Sequence, residues 1–62
     1  MTPHESQAEA GRMAIFAALV ALQDRGVSVT TSRIKVAESF GVGLDLVVEV
    51  EREGLEKEWP PL

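Results

Sequence analysis

Thr31, Ser32, Arg33 and Lys35 bring two hydroxyls and two cations together within five positions. At the start of a helix such a set can hold a phosphate, because free backbone amides, hydroxyls and positive charge all converge there. Arg52 adds a planar guanidinium of the type that reads guanine edges, whereas Asp45 and Glu49 could only accept from a cytosine amine. Other chemistry lacks its parts. The single histidine, His4, has no second member for a nucleophile–base pair or a histidine metal cluster. Glu49 and Glu53 share a helical face, but paired acids without a histidine or a pocket form a solvated surface. "GVG" at 41 to 43 lacks the lysine of a phosphate loop, and Asp45 would repel an anion. The expectation is no enzyme, no catalytic residue, no metal, no cofactor and no small-molecule substrate.

The elements that position these residues read as three helices. Ser6 and Glu9 have capping-box spacing, so helix 1 is expected over 6–25, after a loose tail at 1–5 in which Pro3 fits a tail or a first helical turn. Gly26 stops it. "VSVT" at 27 to 30 alternates and is β-branched, which predicts extended backbone or a short strand. Thr31 or Ser32 then caps a second helix reaching Phe40 within 31–40, with Ile34, Val36, Ala37 and Phe40 as its apolar set. A third helix is expected over 44–59, ended by "WPPL". Against it, Leu44, Leu46, Val48 and Val50 alternate as in a strand; Leu55 and Trp59 carry the 3.6 rhythm onward from Val47 and Val50 and favour the helix.

Length and composition set the conditions for burial. Sixty-two residues make a single domain, and a chain this short hides only about 60% of the surface its unfolded form exposes. No cysteine can staple it. In helix 1, Met13, Ile15, Phe16, Leu19, Val20 and Leu22 cover one half of the wheel, while Ala10, Ala14, Ala17, Ala18 and Ala21 cover much of the other. A helix with so little wet surface invites a second copy, so a homodimer through helix 1 is expected. The longest apolar run, Met13 to Leu22, is ten residues, about half of a membrane span. With a net charge of −4, loose attraction to anionic lipid is also disfavoured, and the reading is a cytoplasmic protein without membrane association.

Between helices 2 and 3 the residue types follow a steep two-helix crossing. Ala37 allows close approach, Gly41 supplies positive φ, Val42 fills the space beneath the turn, and Val47 and Val50 face back onto Val36, Ala37 and Phe40. "VAESFGV" with Val47 and Val50 resembles the helix-turn-helix of bacterial repressors, and "VEVEREGLEKEW" resembles the end of region 4 of bacterial sigma factors. The resemblance covers about residues 30 to 59. It implies an all-α, three-helix domain that recognises promoter or operator DNA as a dimer in transcription regulation, its third helix in the major groove.

The same resemblance would turn Gly43, Leu44, Asp45, Val48, Glu49 and Arg52 toward the bases, yet only Arg52 among them is a common reader. From 30 to 53, Arg33, Lys35 and Arg52 stand against Glu38, Asp45, Glu49, Glu51 and Glu53, a local charge of −2. DNA contacts are therefore expected at Thr31, Ser32, Arg33, Lys35 and Arg52. The alternative is a protein-interaction module that keeps the fold with an acidic, apolar third helix. Its partner interface would draw on Phe16, Val20, Leu44, Leu46, Val48 and Trp59, because an apolar patch rimmed by acids suits a protein better than DNA.

Overall fold

A computed structural model describes residues 3–62, with side chains from residue 9 onward. Three helices form, α1 (Pro3–Asp24), α2 (Val29–Phe40) and α3 (Leu44–Lys57), each packed against the other two. The all-α architecture agrees with the sequence reading. No strand occurs among the described residues: 44 to 51 are helical, and the alternation of Leu44, Leu46, Val48 and Val50 yields to the 3.6 rhythm.

The three helix ends share one device. After α1, Val27 N–H donates to Leu22 C=O at 3.1 Å and Gly26 N–H to Gln23 C=O at 3.0 Å, with Gly26 at φ 90°. After α2, Val42 N–H donates to Ala37 C=O at 3.0 Å and Gly41 N–H to Glu38 C=O at 3.3 Å, with Gly41 at φ 66°. Both are Schellman closures, which satisfy orphan carbonyls and need a left-handed residue. At the end of α3 that conformation falls to Glu58 at φ 53°, and Trp59 N–H reaches Gly54 C=O at 3.0 Å. The backbone reversal turns Trp59 inward.

Helix beginnings depart from the sequence reading. α1 starts at Pro3, in the first turn where a missing amide costs nothing, so the backbone at Ser6 is already helical and the loose tail at 1–5 is not seen over 3–5. The expected Ser6–Glu9 capping interaction lies outside the described side chains. α2 starts at Val29, and its N-cap is Ser28 rather than Thr31 or Ser32, accepting from Thr31 N–H at 3.2 Å. Val29 and Thr30 are therefore helical rather than extended, because the cap and the tertiary contacts of α2 outweigh the local β preference of "VSVT".

Ile15, Phe16 and Leu19 of α1, Val36 of α2, Val47 and Val50 of α3, and Trp59 form the core. Phe16 and Trp59 meet edge to face, centroids 6.1 Å apart and planes at 76°, a favoured aromatic geometry. Gly54 is buried beneath Phe16. The inward stripe of α3 is thus Val47, Val50 and Gly54, and Leu55, expected to continue it, is 56% exposed. Ile34 and Phe40 also stand outward, leaving Val36 as the buried apolar residue of α2.

Candidate interaction surface on the second and third helices

The start of α2 does not assemble as a free anion site. Ser32 is fully buried. Its hydroxyl donates to Val29 C=O at 2.8 Å and accepts from Gln23 Nε2 at 3.1 Å, so both its roles are spent inside the fold. Ser32 is therefore not placed to contact a phosphate, contrary to the sequence expectation. Arg33 is half-buried, and its Nε donates to Glu51 Oε1 at 3.0 Å while Nη2 donates to the same oxygen. Gln23 Nε2 reaches the other oxygen, Oε2, at 3.4 Å. One polar cluster therefore ties α1, α2 and α3 together. Arg33 is thus held in a charge-assisted pair with a carboxylate whose side chain is only 15% exposed, which competes with any phosphate for the guanidinium.

Thr31, Lys35 and Arg52 remain exposed, and none of them enters an ion pair among the described residues. Elsewhere, Arg12 Nε donates to Glu53 Oε1 at 2.9 Å and Lys57 Nζ to Glu53 Oε2 at 2.8 Å. These two hydrogen bonds, Lys57 first and Arg12 second, hold the Glu53 carboxyl below its ordinary value. Lys57 Nζ also lies 5.6 Å from the Trp59 ring centroid. Among the described residues, ion pairs engage three bases, Arg12, Arg33 and Lys57, and two acids, Glu51 and Glu53.

Of the residues expected at a partner interface, Phe16 and Trp59 are in the core and cannot serve one. The left-handed turn at Glu58 precedes the buried Trp59. Val20 and Leu46 are half-buried and pack against the core, so they too face mainly inward. Leu44 is exposed and Val48 half-buried on the outer side of α3. Among the described residues, the exposed large apolar ones are Val29, Ile34, Phe40, Leu44, Leu55 and Leu62, none of them in α1. Sequence reasoning missed Leu55 and Ile34 because each sits at helical spacing from true core residues, and the one-residue difference between Leu55 and Gly54 depends on which flank of α3 meets Phe16.

On α3 two ridges run side by side. Leu44, Val48 and Leu55 recur at intervals of four and seven on one face, with the Arg33-paired Glu51 between the last two, and Asp45, Glu49 and Glu56 repeat the interval one residue later. Arg52 sits within the acidic ridge. Among the described residues no three potential metal-ligating side chains come together, and no helix is long and apolar enough to cross a membrane. No protein-family model matches the chain, and no curated protein or solved structure is significantly similar to it.

Proposed function

We propose that this chain is a dimeric protein-interaction module that uses the helix-turn-helix framework to present the outer side of α3 to another protein. The observation that carries this reading is the burial of Ser32, which takes one of the five expected DNA contacts off the surface, together with the pairing of half-buried Arg33 with Glu51, which engages a second. The face that remains combines exposed Leu44 and Leu55 with Asp45, Glu49 and Glu56, a composition that polyanionic DNA repels and a protein partner can use.

Dimerisation through α1 is the second part of the proposal. Ala10, Ala14 and Ala21 are exposed and Ala17 is half-buried, at spacings of four, three and four along the side of α1 away from the core. That rhythm matches the alternation by which two helices pack at a shallow angle, and the small side chains permit close axes. Equilibrium sedimentation should give a dimer, and Ala14→Glu should give a folded monomer. A wild-type monomer at high micromolar concentration would sink this part.

DNA recognition in transcription regulation is the second reading, favoured by the Gly41 turn and by exposed Thr31, Lys35 and Arg52. Titration of a labelled duplex at low salt separates the two. The interaction reading expects no shift up to high micromolar protein. A salt-sensitive shift lost on replacing Lys35 and Arg52 with Ala would favour the DNA reading instead.

A further inference from the structure

We infer that the partner is a cationic amphipathic helix, docked along the ridge of Leu44, Val48 and Leu55 with its basic flank over Asp45, Glu49 and Glu56; this rests on the protein-interaction reading above. Leu44 and Leu55 are about half exposed, at 48% and 56%, and Ile34 of α2 is 45% exposed. Arg33, next to Ile34, reaches Glu51 on the same flank of α3, so the edge of α2 borders the ridge. Apolar side chains at intervals of four and seven are the imprint that a second helix fills with its own repeating apolar positions.

Charge selects the occupant. Asp45, Glu49 and Glu56 parallel the apolar ridge through its whole length, with Arg52 as the only cation among them. A second copy meeting this face antiparallel about a two-fold axis would set acidic ridge against acidic ridge, an arrangement that like-charge repulsion opposes. Nucleic acid and anionic bilayers meet the same repulsion. An extended peptide has no sheet edge to join among the described residues. A helix bearing Lys or Arg beside its apolar stripe satisfies both ridges at once.

The test uses a labelled peptide of Leu and Lys, about 18 residues or five helical turns long, with one apolar and one cationic face. Its two controls are a scrambled peptide of the same composition and a peptide with Glu in place of Lys. Backbone amide chemical shifts of the full chain should move over residues 44–56 with the cationic peptide, and the affinity should fall as salt rises. The double variant Leu44→Asp, Leu55→Asp should weaken binding about tenfold or more. Asp45→Lys with Glu49→Lys should transfer preference to the Glu peptide. All four positions are exposed, so circular dichroism should report unchanged helix content. Equal binding of the scrambled peptide, shifts confined to α1, indifference to both double variants or an absence of any peptide binding would overturn the cationic-helix assignment. A duplex that binds through α3 in the same assay would instead overturn the protein-interaction reading beneath it.

Discussion

Gly54 of α3 lies against the ring of Phe16 so closely that a Cβ added at Gly54 would come within 2.5 Å of Phe16 Cε1 and Cγ. Helix propensity and packing therefore pull in opposite directions at this position. Alanine in a helix interior is ordinarily better than glycine by about 1 kcal/mol. Here the added methyl must displace a fully buried aromatic ring that also meets Trp59 edge to face. Gly54→Ala is expected to destabilise the fold by about 1–3 kcal/mol, as overpacking does, measured by urea unfolding. A stabilised variant would mean that α1 and α3 are not held at this separation.

Ser28 and Ser32 look alike in sequence and should behave differently. Ser28→Ala removes one exposed cap bond to Thr31 N–H and is expected to cost about 1 kcal/mol, with Asp at the same place restoring most of it. Ser32→Asp forces a charge into a fully buried site and is expected to unfold the domain or cost several kcal/mol. Thermal melts of the two variants check the contrast. Equal tolerance of Asp at both positions would contradict the burial of Ser32.

Glu51 is predicted to restrain Arg33 rather than merely stabilise the fold. Glu51→Gln should lower stability by about 1 kcal/mol and, by releasing the guanidinium, raise low-salt affinity for a labelled duplex above that of the wild type. A variant pairing Glu51→Gln with Arg33→Ala should lose that gain. Unchanged duplex affinity in Glu51→Gln would mean that acidity elsewhere on α3, not the pairing of Arg33, keeps DNA away.

Glu53 links α1 to α3 through Arg12 and is fastened by Lys57 on its own helix. Its carboxyl is held below the ordinary value, first by Lys57 and then by Arg12. The folded state thus prefers the ionised form more strongly than the unfolded chain does. The contribution is fully present above the unfolded pKa and is lost as pH falls through the lower folded one. Carbon-detected titration should place Glu53 below the ordinary glutamate value, and Lys57→Ala and Arg12→Ala should each raise it. A Glu53 midpoint at the ordinary glutamate value would contradict the pairing.

How legible the fold was depended on how local each signal is. Gly41 and Gly26 mark helix ends because a left-handed residue is required one position before the chain turns away, and both occupy that conformation. Val47 and Val50 face inward as their spacing requires. The start of α2 was less legible, since Ser28, Thr31 and Ser32 are all good caps and the choice rests on which hydroxyl the packing of α1 encloses. The candidate surface was legible at Leu44 and Val48, but not at Leu55, whose outward position follows from Gly54 filling the inward one.

The sequence by itself determined the number of helices, two of their terminating turns, the inward valines and the acidity of α3, because helix periodicity, left-handed glycine and charge are properties of neighbouring residues. Tertiary structure alone decided that Arg33 belongs to Glu51, that Ser32 belongs to Gln23, and that Phe16 and Trp59 form the core instead of a docking surface. Those choices join residues far apart along the chain. Each depends on the angle and depth at which two helices meet, and that is fixed by side-chain volume at the crossing, down to the single missing methyl of Gly54.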